Sequence, residues 1–297
     1  MAMSGKDGTA FLVGAGRSGT TLVYKLLCLH RHVAYISNYD EWRLPLGRVA
    51  GLVSGDTEGK LAAWFSGGGN AYFVKRPFMK RVFPTPVEGE SIYRRCGIPL
   101  FPDRGYVPSA QASSRLRRAF SSIRRGAHGD IVLSKRTSNN RRISALNKVF
   151  PNARYIHVIR DGREVADSLL RVEWWGGHRV WWDGRTAEEM ERSGEDSLTI
   201  AARNWVYEMQ ELNHGLSSIA AQRILEVRYE NLLADPERCL VDILGFIGIE
   251  ADAEYLKAIR SLKLHYRPGS WQRRWSEAQL ATVLQEQSAL LNGLGYR

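Results

Sequence analysis

Phe11-Leu-Val-Gly-Ala-Gly-Arg-Ser-Gly-Thr-Thr-Leu22 is the stretch from which the 297-residue chain is best read. An apolar run, Thr9 to Val13, enters Gly14-x-x-x-x-Gly19, and Thr20 to Leu29 then carries the pattern of a helix. A strand, a glycine loop and a helix in that order form a cradle for an anion. Glycines let the backbone approach closely, and successive N–H groups at the helix start face the bound charge. A Walker A loop would place Lys before its final Ser or Thr. Here that position is Thr20, and the cation of the loop is Arg17. The loop is expected to hold a phosphate ester through Arg17, Ser18, Gly19, Thr20 and Thr21, without the pattern of a magnesium-dependent nucleoside triphosphatase.

Outward from the loop, β-rich apolar runs alternate with helical patterns. Val33 to Ile36, Ile131 to Ser134, Arg154 to Ile159 and Arg223 to Arg228 read as strands. Ser138 to Phe150, Arg163 to Val172, Ser197 to Ala221, Pro236 to Ile247 and Ser276 to Asn292 read as helices, the first stopped by Pro151. The alternation predicts an α/β protein with a central, mainly parallel sheet in a P-loop-like three-layer fold. Residues of about 45–128 and 173–195 break the pattern, being rich in Gly, Pro and Arg or in Trp and Gly. They are expected to be helical and loop insertions forming a lid on a single domain, 1–297.

Composition narrows the class. Apolar residues are 44% and charged residues 25%, the balance of a globular chain. No apolar run approaches the roughly 18 residues of a membrane span, and the first nine residues lack the apolar centre of a signal peptide. Three cysteines without CxxC spacing exclude a disulfide framework. A cytoplasmic enzyme is the expectation. Net charge is 42 − 31 = +11, and it is local. Between Lys75 and Arg142 there are 16 Lys/Arg and 4 Asp/Glu, a net of +12, while the remainder sums to −1. Such a field suits an anionic partner: a nucleic acid, a membrane surface or a polyanionic small molecule.

A second motif, Tyr155-Ile-His-Val-Ile-Arg-Asp-Gly-Arg-Glu-Val-Ala-Asp-Ser168, puts Arg160 at a strand end and Ser168 about two turns into the next helix. Together, Gly16 to Leu22 and Tyr155 to Ser168 resemble the 5′-phosphosulfate loop and the 3′-phosphate motif of sulfotransferases. Those enzymes use 3′-phosphoadenosine 5′-phosphosulfate (PAPS). Ser134-Lys-Arg136, Val227-Arg-Tyr-Glu-Asn-Leu-Leu-Ala-Asp-Pro236 and Gly293-Leu-Gly-Tyr296 extend the resemblance to tyrosylprotein sulfotransferases and their bacterial relatives. It covers roughly residues 9–40 and 130–297.

The resemblance implies that Arg160 and Ser168 hold the 3′-phosphate, that Tyr229 lies near the nucleotide, and that Arg17 and Lys135 donate to the transferring group. It implies PAPS as donor, 3′,5′-adenosine bisphosphate as product, and no metal requirement. Ser270 or Arg274, in Arg267-Pro-Gly-Ser-Trp-Gln-Arg-Arg-Trp275, is expected to touch a phosphate. Tyrosylprotein sulfotransferases carry a Glu-Glu pair after the second strand, and those positions are Ser37 and Asn38 here. Asp40 or Glu41 is therefore expected to be the general base, the alternative being that they cap a helix beginning near Trp42.

Trp174, Trp175, Trp181 and Trp182 could stack on adenine or on an acceptor ring, or pack in a core. The partner implied is a small-molecule hydroxyl: a carbohydrate, a lipid-linked acceptor or a phenol. A P-loop kinase is the first alternative, disfavoured by the missing Walker Lys. A nucleic-acid-binding protein ranks last, since the chain carries no nucleic-acid-reading module.

Overall fold

In the computed structural model, which describes residues 8–42, 46–65, 73, 82–103, 105–264, 269 and 271–296, the apolar runs of the sequence become one sheet. The first half of the chain gives β1 (Thr9–Val13), α1 (Thr20–Cys28), β2 (Val33–Tyr35), α2 (Asn38–Glu41), α3 (Arg48–Gly51), α4 (Thr57–Trp64), α5 (Glu90–Cys96), α6 (Ala110–Gly126) and β3 (Ile131–Lys135). After a 3₁₀ turn at Thr137–Arg141 come α7 (Ile143–Val149), β4 (Arg154–Ile159), α8 (Gly162–Leu169), α9 (Ala187–Arg192) and α10 (Ser197–Leu216). The chain finishes with β5 (Ile224–Arg228), α11 (Tyr229–Ala234), α12 (Pro236–Ile247), α13 (Ala253–Ser261) and α14 (Glu277–Gly293).

The strands lie in the order β2-β3-β1-β4-β5, and every pairing is parallel. β1 is central, with Phe11 opposite both Ser134 of β3 and Tyr155 of β4. A parallel sheet covered on both faces needs strands that are apolar throughout, and all five positions of β1 are buried. The Phe11 ring packs 5.6 Å from Tyr155, 5.8 Å from Phe150 and 6.1 Å from Phe120. Each such buried aromatic contributes roughly 1.5–3 kcal/mol.

The chain leaves β1 to one side for β2 and β3, then crosses to the other side for β4 and β5. The reversal opens a crevice at the carboxyl ends of the strands, where open α/β sheets bind ligands. Four expected site residues meet there by construction. The Arg17 loop follows β1, Lys135 ends β3, Arg160 follows β4 and Tyr229 follows β5.

Three elements differ from the sequence reading. α6 is a 17-residue helix inside the stretch read as irregular. Its apolar face, Ala112, Leu116, Ala119, Phe120 and Ile123, has helical spacing but is diluted by Arg and Ser. The helix expected over 138–150 splits at Arg142. Asn139 donates to the Tyr93 hydroxyl and Arg142 pairs with Glu90 at 2.7 Å, so inward polar contacts set the local backbone. The helix expected to reach Ala221 ends at Leu216. A close approach requires Gly162 at the start of α8: a Cβ there would come within 2.6 Å of Trp205 on α10 and of Gln287 on α14. Among the described residues no helix is long and apolar enough to cross a membrane.

Candidate functional site

The glycine loop is shaped by contacts that exclude side chains. A Cβ on Gly19, whose φ is +87°, would lie 2.2 Å from the Tyr229 ring. One on Gly14 would lie 2.6 Å from the Val158 carbonyl oxygen and 2.9 Å from the Thr20 methyl. The loop closes with the Ser18 N–H donating to the Ala15 carbonyl at 3.1 Å. The Ser18 hydroxyl is buried with no hydrogen-bond partner among the described residues. Arg17 sits in the left-handed region at φ +68°, an uncommon conformation for a side-chain-bearing residue. A backbone held this way at a helix start is a cradle for phosphate.

Around the cradle the structure brings four expected residues together. Arg17 Nε donates to Ser168 Oγ at 3.0 Å. Arg160 Nη1 donates to the Arg17 carbonyl at 3.0 Å. The Arg160 guanidinium lies 4.6 Å from the centre of the Tyr229 ring and 3.5 Å from Glu164 Oε2. Burial, and then the like charges of Arg160 and Arg171, hold the pKa of Arg17 below its ordinary value. Crowded cations favour an anion between them.

Lys135 stands on the other side of the cradle. Its Nζ donates to Thr21 Oγ1 at 3.2 Å and to Glu88 Oε1 at 2.5 Å. Arg136 pairs with the same carboxylate and with Glu90 Oε2 at 3.1 Å. Burial pushes the Glu88 carboxyl upward, but Lys135 and Arg136 outweigh it and hold the pKa below its ordinary value. Glu88 lies in a segment without a sequence pattern of its own. Only its tertiary placement, beside the end of β3, marks it.

These groups open on a cavity of about 760 Å³. Arg17, Thr21, Lys135, Arg160 and Glu88 line one wall. Leu100, Phe101, Trp174, Trp175, His178 and Trp181 also line the cavity and give it an aromatic side. Leu100, Phe101 and Trp174 are exposed at its rim. The His178 ring stacks on Trp175 at 5.7 Å, and partial burial pushes its pKa down. Trp182 turns away and stacks on Tyr207 at 4.7 Å.

The acidic pair after β2 is placed differently. Asp40 accepts from the Ser37 N–H at 2.7 Å, the Ser37 hydroxyl at 2.7 Å and the Gly47 N–H at 2.6 Å. It closes a capping box on α2, is buried, and does not line the cavity. Burial pushes its pKa up, with those three donors opposing. Glu41 also lies outside the cavity lining. Both belong to the N-terminal turn of a four-residue helix, where carboxylates satisfy free N–H groups. Arg274 makes a two-pronged ion pair with Asp167, 2.9 Å at Nε and 2.5 Å at Nη2, and so is anchored one residue before Ser168. Ser270 lies outside the described residues.

Comparison with known proteins agrees with this arrangement. The model of the Sulfotransferase family matches residues 88–253, more than half of the chain. The chain is 24% identical over 314 residues to omega-hydroxy-beta-dihydromenaquinone-9 sulfotransferase Stf3 of Mycobacterium bovis and Mycobacterium tuberculosis, covering 98% of this chain and 76% of that protein. Sulfotransferase STF9 from Mycobacterium avium superimposes with a TM-score of 0.63 at 16% identity, covering 98% of this chain and 77% of that one. The sulfotransferase domain from the curacin biosynthetic pathway gives 0.53 at 14% identity, covering 98% of both chains. A strand-end cradle of arginines and a family match that spans β3, β4 and β5 lead to one conclusion: the chain belongs to the Sulfotransferase family and is a PAPS-dependent sulfotransferase.

Proposed function

We propose that residues 1–297 act as a single catalytic unit that sulfates the hydroxyl of an apolar, lipid-linked small molecule, with PAPS bound along the glycine loop. The observation that carries the reading is Lys135, which spans from Thr21 at the cradle to Glu88 at the mouth of an aromatic chamber. The residues present fit the donor. The cradle would hold its 5′-phosphosulfate, with the Ser18 hydroxyl and the loop N–H groups as donors. Arg17, Arg160 and Ser168 form a cluster suited to the 3′-phosphate, since guanidinium offers paired donors to phosphate oxygens.

When bound, PAPS supplies the sulfuryl group and is left as 3′,5′-adenosine bisphosphate. The side chains do the rest. Glu88 takes the proton of the acceptor hydroxyl as its oxygen bonds to sulfur. Lys135 and Thr21 donate to the oxygens that gain charge as the bond from sulfur to the phosphate oxygen breaks. Holding both partners in line in a cavity screened from water supplies much of the remaining acceleration.

The apolar wall of Leu100, Phe101, Trp174 and Trp175 supports an apolar acceptor. So does the relative that acts, by its name, on an omega-hydroxy dihydromenaquinone. The test is sulfate transfer from labelled PAPS to a long-chain prenol, a simple phenol and a monosaccharide, alongside calorimetry with 3′,5′-adenosine bisphosphate and ADP. Labelling of the prenol and tighter binding of the bisphosphate are expected. Labelling of the sugar alone would overturn the acceptor class, and a preference for ADP would overturn the donor site.

A further inference from the structure

On the sulfotransferase reading, the acceptor wall contains an arginine to which neither the mechanism nor the sequence motifs give a role. Arg141 lines the cavity with its side chain 9% exposed. Its guanidinium lies 4.8 Å from the Phe101 ring centre and 5.1 Å from that of Trp181. Nη1 donates to Glu208 Oε1 at 3.0 Å. Nε is buried and has no hydrogen-bond partner among the described residues.

Glu208 is itself buried and holds three groups. Its Oε1 also accepts from Trp181 Nε1 at 2.7 Å, and its Oε2 accepts from Asn140 Nδ2 at 2.7 Å. Asn140 in turn accepts from the Gly14 N–H at 3.3 Å and donates to the Gly14 carbonyl at 3.0 Å. One carboxylate therefore fixes an aromatic wall residue, a cation and, through Asn140, the first glycine of the donor loop.

Four physical consequences follow from this packing. Two rings and a carboxylate leave the guanidinium little freedom, so it is pre-organised. Arg141 lines the cavity, and since Nε is closed off, the guanidinium offers its amino N–H groups to an acceptor atom of a ligand. Glu208 balances the charge of Arg141, so the spot favours a neutral oxygen over an anion. The rings beside it suit a flat, apolar framework.

The structure assigns Arg141 as the polar anchor of the acceptor site: beside Phe101 and Trp181 it takes a planar, unsaturated acceptor through a neutral carbonyl oxygen. Glu208 is its positioning residue. The anchor adds a second point of attachment besides Lys135 and Glu88 in the same cavity, so it selects which hydroxyl of a multifunctional molecule reaches the sulfuryl group.

Calorimetry on the full chain, with and without saturating 3′,5′-adenosine bisphosphate, tests this with three probes of similar size: 2-acetylnaphthalene, 2-isopropylnaphthalene and 2-naphthoate. The ketone is expected to bind about tenfold tighter than the hydrocarbon, a factor equivalent to about 1.4 kcal/mol, and tighter than the carboxylate. Arg141→Met is expected to erase the ketone preference and Glu208→Gln to reduce it. Affinity for the bisphosphate should stay unchanged in Arg141→Met, which reports an intact fold, whereas Glu208→Gln, tied through Asn140 to Gly14, is read on the ketone preference alone.

If Arg141→Met no longer binds the bisphosphate, Arg141→Lys is measured in its place, and the ketone preference is expected to fall. Equal binding of ketone and hydrocarbon by the native chain overturns the assignment. So does a preference that survives both arginine variants. Tightest binding by naphthoate overturns the neutral-oxygen assignment. Failure of the native chain to bind the bisphosphate would sink the donor reading instead, and the probe preference would still be read on the free chain.

Discussion

On the donor side of the cavity each principal residue is tied to the end of a strand: Arg17 after β1, Lys135 at the end of β3, Arg160 after β4 and Tyr229 after β5. On the side proposed for the acceptor, Phe101, Trp174, Trp175 and Trp181 come from the long connections α5–α6 and α8–α9; Trp181 is held by Glu208 of α10 and Phe101 lies on Arg141 of the 3₁₀ turn at Thr137–Arg141. The first wall is anchored by backbone pairing in the sheet. In the second, side chains hold Trp181 and Phe101, while Trp175 and His178 sit in a turn closed by local backbone hydrogen bonds. A wall hung on strands keeps its chemistry when connections change, whereas a wall hung on side chains can be rebuilt residue by residue. On the proposed reading, the acceptor side is therefore the part of the cavity most open to change by substitution.

The largest effect that would sharpen the contrast is at Glu88, where the walls meet. Glu88→Gln should lower kcat by roughly 10²- to 10⁴-fold, the range for a general base, with little change in bisphosphate affinity. Because Lys135 and Arg136 hold its pKa below the ordinary carboxylate value, the base form persists on acidification. The acid limb of kcat should therefore fall below the usual carboxylate range. If Glu88→Gln keeps its kcat while His178→Asn loses it, the base is the imidazole of the acceptor wall, and the division drawn between the walls fails.

The donor wall is tested next. Arg160→Ala and Arg17→Ala should each weaken 3′,5′-adenosine bisphosphate binding by about 1.5–3 kcal/mol, as expected for a hydrogen bond to a charged group. Unchanged affinity in both variants, measured by calorimetry, would remove the nucleotide from this wall.

The smallest effect belongs to Asp40. Asp40→Ala removes the capping box of α2 and should cost about 1–2 kcal/mol of stability, seen as a lower Tm. Turnover at a permissive temperature should stay within about twofold, since the substitution leaves every cavity-lining group in place. A large loss of kcat at unchanged Tm would return Asp40 to the chemistry.

The same contrast explains what could be read from the residues alone. The parallel sheet, Arg17 and Arg160 were legible because each lies on or beside a strand with a clear apolar run, whereas Ser168, two turns into α8, and Tyr229 were placed by the motifs that resemble the sulfotransferases. Asp40 could be read two ways, since acidity after β2 suits a cap as well as a base; its burial and its capping box support the cap. Glu88 was not legible, for its neighbours carry no periodicity and its meaning lies in Lys135, 47 residues away. α6 was hidden by composition: Arg and Ser on its outer face masked an apolar spacing that was present throughout. Arg141 and Glu208 are separated by 67 residues, and nothing local to either signals the pair.

The bridge from Glu208 through Asn140 to Gly14 has one more consequence. Two ligands that lean on a shared framework are linked thermodynamically. Whatever factor the occupied donor loop adds to acceptor affinity, the bound acceptor must return to donor affinity in equal measure.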